Sequence, residues 1–287
     1  MKRVMTLLIT LLMWGSAMAT GQDADVVYID GVKWWLMGRP IGFDSALHAS
    51  VLANLPKEYC ESTDNWDGFK AYWSVQNDCL VLDSIQYLDE ECEDAWLPDS
   101  VMHRIFKDHY VKGRILADWV DYTLRLAQGK CIYYEHMGFF RYYDTEMLVH
   151  IEKGKVVNKE LFHNRLAKKG FPSENSKQQL ESIRHRLLPI VEKYSELDSI
   201  DKIYFSIRGL DIDSTGHLNS IETVELHLGR WYKDSDSVLA PIQRQMEQEI
   251  RAALMDIPEW EVWYINGKYI NFTGGWAFPI LLRKRND

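Results

Sequence analysis

The sequence predicts an α+β protein in which antiparallel sheets carry a few helices. Apolar residues alternate with a period of two through much of the first 170 residues, in short runs separated by turn residues. In the last third, an amphipathic helix follows an apolar hairpin and precedes two further strands. We therefore expect a mixed α+β domain at 22–170, a helical linker at 171–200 and a second domain at 201–287.

The start of the chain has the features of a secretory signal peptide. Lys2 and Arg3 precede an apolar run at 5–14, and Ala17-Met18-Ala19 matches the small-residue cleavage pattern. This predicts a signal peptide at 1–19, with an uncleaved anchor as the alternative, and a mature protein in the periplasm or outside the cell. The formal net charge of −9 argues against nucleic acid or an anionic membrane as the partner.

The first domain is predicted from turn residues that separate apolar runs. Strands at 26–29 and 32–37 flank Asp30-Gly31, and strands at 69–75 and 80–88 flank Asn77-Asp78. Asp44 is expected to cap a helix that Pro56 ends, and 98–109 is expected to be a short helix. Further strands are predicted at 115–126, 132–136 and 147–161, with reversals at Gln128-Gly129 and Lys153-Gly154.

The second half alternates helices with strands. A helix at 180–194 should kink or break at Pro189, and 202–228 should form a hairpin that turns at 211–216. The apolar stripe at 238–257 predicts a helix capped by Asp236 or Ser237. A strand at 260–265 then turns at Asn266-Gly267. The final strand holds Pro279, which cannot donate a ladder bond and so indicates an edge or a strand end.

The last 85 or so residues resemble the TonB C-terminal domain family. The resemblance rests on Ile257-Pro258-Glu259-Trp260, on Asn266-Gly267-Lys268 and on Phe278-Pro279-Ile280, with the hairpin before them. Glu261-Val262 stands where the family usually has Pro-Gly. The resemblance implies a ββαβ fold that contacts a partner by adding a strand to an exposed sheet edge.

The resemblance also implies where a partner would bind. The final strand at 275–283 would be the free edge, and the strand at 260–265 would lie beside it and carry pocket residues. The partner would be an envelope protein or an extended peptide, such as the plug of an outer-membrane transporter. We expect no catalytic residue, no metal and no cofactor. The candidate binding residues are Trp260, Val262, Tyr264, Trp276, Phe278 and Ile280.

Three polar clusters have alternative interpretations. Asp211, Asp213, Thr215, Gly216 and Glu222 have the spacing of a calcium loop, but strand-like flanks favour a hairpin bend. A second cluster would suit a hydrolytic metal site, although no His-Glu-x-x-His motif is present. A third is an acidic run that favours a solvated loop over a catalytic pair. The second cluster is Glu135, His136, His150, Glu152 and His163, and the third is Asp89, Glu90, Glu91, Glu93 and Asp94.

Aromatic residues provide an alternative function. They make up 13% of the chain and are often adjacent in the first domain, as in Trp34-Trp35 and Tyr72-Trp73. Adjacent rings on a strand point to opposite faces, so one of each pair could stack on a sugar or grip a peptide. The alternative function is therefore a secreted carbohydrate-binding or glycan-processing protein, and a core rich in large rings is the simpler explanation.

Four cysteines lie in the first domain. They are Cys60, Cys79, Cys92 and Cys131, and an exported protein meets oxidants that permit disulfides. Three pairings are possible, and the sequence does not choose between them or between bridges and buried thiols.

Overall fold

The computed structural model describes residues 21–57, 60, 62–134, 138–171, 177–197, 200, 202–228, 239–271 and 275–284, and of 177–180 and 275–284 it describes the backbone alone. The predicted signal peptide at 1–19, Glu135, His136 and the predicted caps Asp236 and Ser237 lie outside this range. The fold is α+β, and the chain divides into two compact units between His163 and Asn164. In the described part, no helix is long and apolar enough to span a bilayer.

The first unit is built from ten strands and two α-helices. A 3₁₀ turn lies at Pro40–Phe43 and another at Lys107–His109. The helices are α1 (Ser45–Asn54) and α2 (Asp99–Ile105). The strands are β1 (Asp25–Ile29), β2 (Val32–Leu36), β3 (Phe69–Gln76), β4 (Cys79–Leu88), β5 (Asp94–Trp96), β6 (Tyr110–Val111), β7 (Arg114–Leu116), β8 (Thr123–Tyr134), β9 (Arg141–Glu152) and β10 (Lys155–His163).

All ten strands belong to one sheet. Its order is β10-β9-β8-β2-β1-β3-β4-β7-β6, and β5 pairs with β4. The β1–β3 pair is parallel and the others are antiparallel. Lys155 of β10 also bridges Cys79 of β4, so the sheet curls and the seven strands from β10 to β4 close into a ring. The face enclosed in this way is the apolar core of the unit.

Local chemistry explains the predicted turns and the first helix. Asp30 and Gly31 have φ angles of 52° and 77° between β1 and β2, and Asn77 and Asp78 have 51° and 57° between β3 and β4. These residue types tolerate the left-handed region that a tight hairpin requires. The Asp44 carboxylate accepts hydrogen bonds from two first-turn amides of α1, as its position before the helix predicted.

The predicted strand at 115–126 is wrong, because the chain leaves the sheet between β7 and β8. The predicted reversal at Gln128-Gly129 is also wrong. Gly129 has φ +79° within β8, where the register with β9 shifts, and a Cβ there would collide with the Asp144 carboxylate. The glycine therefore serves a bulge inside a continuous strand.

The second unit contains two three-stranded sheets and two α-helices. One sheet has the order β11-β14-β15 and the other β13-β12-β16. The helices are α3 (Lys177–Val191) and α4 (Ala240–Met255), and a 3₁₀ turn lies at Ser195–Leu197. The strands are β11 (Arg165–Lys168), β12 (Lys202–Ile212), β13 (Leu218–Leu228), β14 (Val262–Ile265), β15 (Lys268–Ile270) and β16 (Gly275–Lys284).

The structure corrects the predicted linker at 171–200. Ile183, Leu187 and Val191 of α3 are buried in one apolar core with β12, β13 and α4, so this helix is part of the second unit. Pro189 lies inside α3 and the helix ends two residues later. The boundary moves from 170 to His163/Asn164 because β11 pairs with β14, nearly 100 residues further along the chain.

Candidate functional site

The β13 edge of the β13-β12-β16 sheet is covered by polar side chains of α4. The Glu247 carboxylate accepts a bond of 2.9 Å from the Leu226 amide, and the Gln243 amide group donates to the Leu226 carbonyl at 2.7 Å. Two turns after Gln243 on α4, Arg251 donates hydrogen bonds to the carbonyls of Ile221 and Glu222. Main-chain groups that would otherwise recruit another strand are therefore occupied.

The opposite edge of this sheet is β16. Its ten residues pair with β12 on one side, from Lys202↔Lys284 to Arg208↔Gly275. Among the described residues, no strand pairs with its other side. In an antiparallel strand, alternate residues direct their N–H and C=O groups away from the neighbour, so about five residues of β16 present such groups outward.

Pro279 lies where β16 is irregular. Ile280 faces Phe205 and Trp276 faces Ile207, so three residues of β16 stand opposite a single residue of β12. Proline lacks the amide that a regular ladder requires and is tolerated at such a bulge. The edge is thus interrupted at Pro279, and a second register shift interrupts it again at Leu282.

The structure disperses the predicted binding residues. Trp260 and Val262 are buried, with the Trp260 ring 5.0 Å from that of Phe171, and they offer no surface to a partner. The expectation that 260–265 lies beside the last strand is corrected, because β14 pairs with β11 and β15 in the other sheet. Tyr264 is half-buried beneath the Arg165 guanidinium. The backbone of β16 carries Trp276, Phe278 and Ile280, and their side chains lie outside the described atoms.

The loop with calcium-like spacing is a hairpin bend. The Asp213 carboxylate accepts hydrogen bonds from the Thr215 hydroxyl and from the amides of Thr215 and His217, and these bonds lower its pKa. Trp260 donates its amide to the Gly216 carbonyl at 2.8 Å, and a Cβ on Gly216 would meet the Trp260 oxygen at 2.5 Å. Glycine here lets the bend dock against the chain that follows α4.

The candidate metal-site histidines and the acidic run are separate surface features. Among the described side chains, no group of three or more His, Cys, Asp and Glu residues lies close enough to hold an ion. The His150 ring instead forms hydrogen bonds with Thr123 at 2.7 Å and with Glu160 at 3.0 Å on the exposed face of β9. The acidic run is a surface bend in which Asp89 accepts from the amides of Glu91 and Glu93.

A disulfide joins Cys60 to Cys92 across 32 residues. It closes this acidic bend onto the segment after α1, and a shallow cavity of about 390 Å³ opens beside it, lined in part by Lys57 and Tyr87. Cys79 and Cys131 are thiols, and the Cys131 thiol donates to the Tyr133 carbonyl.

A buried charged network was not anticipated from the sequence. The Asp25 carboxylate is enclosed in the first core and accepts bonds from Arg39, from the Ala71 amide at 3.1 Å and from the Trp73 indole at 3.0 Å. Burial raises the pKa of Asp25, and the nearby Arg39 charge offsets this only in part. All three partners are donors that fix the carboxylate between β1 and β3, which is a structural role.

Adjacent aromatic residues divide between two faces, as expected for strands. Trp34 and Trp73 are buried in the core, whereas Trp35 is exposed and Tyr72 is half-buried. Trp96 is also exposed, and its ring lies 4.9 Å from that of Tyr72. No protein-family model, curated protein or solved structure matches this chain.

Proposed function

We propose that this is a non-catalytic exported protein whose second unit binds an extended segment of another envelope protein by strand addition to β16. The observation that carries the proposal is the contrast between the two edges of the β13-β12-β16 sheet. Side chains of α4 occupy the β13 edge, while no described strand pairs with the outer side of β16. The helix α3 lies against β16 but adds no strand to it. A strand edge without a strand partner is a template for a guest strand.

The energetics suit a selective but modest interaction. Each main-chain hydrogen bond adds about 1 kcal/mol net, so a guest strand that uses about five such bonds gains roughly 5 kcal/mol from them. Side-chain contacts must supply the remaining affinity and the choice of partner. Glycine at the start of β16 and proline in its middle break the regularity that would favour self-pairing of this edge.

The resemblance to the TonB C-terminal domain family points in the same direction. Two strands, a helix and a last strand form the β13-β12-β16 sheet and α4 in that chain order. The same resemblance suggests the plug segment of an outer-membrane transporter as the guest. The signal-like start of the sequence supports a location where such a segment is accessible.

Site-specific photocrosslinking tests the proposal. We expect that a photoreactive residue at Leu281 in β16 joins the full-length protein to one envelope protein, and that the same residue at Thr223 in β13 does not. A synthetic peptide of the crosslinked segment should then slow hydrogen exchange of β16 amides, because a new ladder protects them.

Equal crosslinking from both positions would contradict the proposal, since it would indicate that the partner contacts both edges of the sheet alike. A crosslinked peptide that binds without protecting β16 amides would also contradict it. A Glu247→Gln variant is a control for fold integrity, because it alters the covered edge and leaves β16 unchanged.

A further inference from the structure

Four aromatic side chains share the outer face of the first unit's sheet. Val27 pairs with both Trp34 and Trp73, and these three side chains are buried in the core. The residues next to them in sequence must therefore point the other way. We call Tyr28, Trp35, Tyr72 and Trp96 the aromatic row.

The register places the row across five neighbouring strands. Trp35 of β2 is opposite Val26 of β1, and Val26 is in turn opposite Tyr72 of β3. Trp96 of β5 is opposite Gln86 of β4, and its ring contacts Tyr72. Four steps of about 4.8 Å between strands give the row a length of about 19 Å, which suits an extended ligand.

The rings are accessible and firmly held. Tyr28, Trp35 and Trp96 are 40%, 38% and 47% exposed. The ring centroid of Trp35 lies 5.2 Å from that of Tyr143, which supports it from the side. Rings fixed on strands lose little conformational freedom when a ligand stacks on them, so such a row is suited to binding.

Hydrogen-bonding groups line the row. The Tyr72 hydroxyl donates to the Gln86 amide oxygen at 2.6 Å, and the Ser74 hydroxyl donates to the Asp83 carboxylate at 2.9 Å. Ser74 of β3 is opposite Tyr28, and Asp83 lies one strand further across the sheet, on β4. Amide and carboxylate oxygens beside an aromatic face match the alternating hydroxyl groups and C–H faces of a sugar chain.

The charges along the row nearly cancel, which favours a neutral ligand. Asp23, Asp83 and Asp94 carry three negative charges, and Lys33 and Lys70 carry two positive ones, which leaves −1. Lys70 is also paired with Asp23. The ring pairs are tilted by 41° and 55° and form an open row, whereas a cationic group would require an enclosing cage.

We infer that the aromatic row is a binding site for a neutral oligosaccharide chain. Its rings stack on the apolar faces of successive sugar units, and the exposed Asp83 carboxylate accepts hydrogen bonds from the hydroxyl groups. The inference concerns the first unit alone and stands or falls independently of strand addition at β16.

The test uses the full-length protein and neutral hexasaccharides of β-linked glucose, xylose, mannose and N-acetylglucosamine, with calorimetric titration. We expect the wild type to bind at least one of them. Trp35→Ala combined with Trp96→Ala should weaken that binding by at least about tenfold, which is the loss that truncating an aromatic anchor commonly causes. Tyr110→Ala is the matched control, because Tyr110 is 39% exposed on β6 and outside the row.

Two charged probes are titrated for comparison with the neutral chains, a hexameric polyuronate and hexalysine. Binding of a neutral chain that the double variant loses and the control keeps supports the inference. Failure of all four neutral chains to bind, equal binding by the double variant, or preference for either charged probe would overturn it. Circular dichroism that matches the wild type ensures that lost binding reflects the missing rings.

Discussion

At the scale of single residues, Asp25 and Arg39 show how the first unit accommodates charge in its core. Arg39 contacts Asp25 with one guanidinium nitrogen and Asp67 with another at 3.3 Å, and Asp67 in turn meets His48 at 3.1 Å. The network thus runs from the enclosed carboxylate to the partly exposed α1. Removal of one partner from a buried ion pair lowers stability by more than the pair contributes, because the remaining charge is left buried without a counter-charge.

We predict that Arg39→Met lowers the free energy of unfolding of the first unit by about 3 kcal/mol at neutral pH, since Asp25 loses its counter-charge. Chemical denaturation measures this loss. Arg114→Met is the control, because Arg114 is exposed on β7 and should change the stability by less than about 0.5 kcal/mol. Equal effects of the two substitutions would show that Arg39 and its charged partners contribute no more to stability than an exposed arginine does.

The same variant has a predicted pH dependence. Burial raises the pKa of Asp25 above its ordinary value of 3.8, so the folded protein holds this proton more tightly than the unfolded chain. Stability from this group is therefore highest below pH 3.8 and declines as pH rises through the raised pKa. Without Arg39 the pKa of Asp25 should rise further, so the decline should extend to a higher pH and be larger in total, and the deficit of Arg39→Met should shrink in acid. A deficit that grows in acid would contradict this.

At the scale of elements, α4 serves as a cover for the β13 edge as well as a core helix. We predict that the triple change Gln243→Ala, Glu247→Ala and Arg251→Ala exposes this edge and causes concentration-dependent self-association. Light scattering coupled to size exclusion measures it. The control is Arg244→Ala with Gln248→Ala, two exposed positions on the same helix. A triple variant that stays as monomeric as this control would show that the side-chain bonds do not protect the edge.

The disulfide is an element-scale restraint on the first unit. A loop of 32 residues closed by Cys60–Cys92 implies that Cys60→Ser with Cys92→Ser costs about 3.5 kcal/mol of stability, from the lost restraint on the unfolded chain. Thermal unfolding with and without reductant measures it. Cys131→Ser should leave stability nearly unchanged, and a reductant should not affect the double variant.

Elements defined by their own residues were predictable, and elements defined by distant partners were not. Asp30-Gly31, Asn77-Asp78 and Asn266-Gly267 each adopt the positive φ angles that their composition indicates. Gly129 has the same conformational freedom but uses it in a bulge, because β8 continues to pair with β9. The parallel β1–β3 contact and the disulfide pairing left no local signal, since both depend on how distant segments meet.

The candidate binding residues show the same limit of local sequence patterns. Proline within the last strand predicted an edge or a strand end, because the missing amide is a property of the residue itself. Pro279 lies at a register shift of β16, a strand that has no partner on its outer side among the described residues. Trp260 and Val262 were predicted as contact residues from the resemblance to the TonB C-terminal domain family and from the alternation of the strand. Alternation identifies two faces of a strand but not which is covered, and here pairing with β11 and packing against Phe171 cover them.

At the scale of the whole molecule, two separate apolar cores imply two unfolding events. One core lies within the curled ten-stranded sheet, and the other joins α3, α4 and the strands β12 and β13. We predict two calorimetric transitions, of which Arg39→Met shifts only one. Hydrogen exchange assigns each transition to its unit. A single transition that moves as a whole would show that the two cores unfold together.

Pro279 has a consequence for any guest of β16. The bulge interrupts the spacing of outward-facing amides, so a continuous regular strand cannot match both halves of β16 at once. A second register shift, which skips Leu282, interrupts the stretch from Ile280 to Lys284 as well. A guest strand can therefore stay in register over only a few residues at a time, and longer partners would have to bend or end where the ladder shifts.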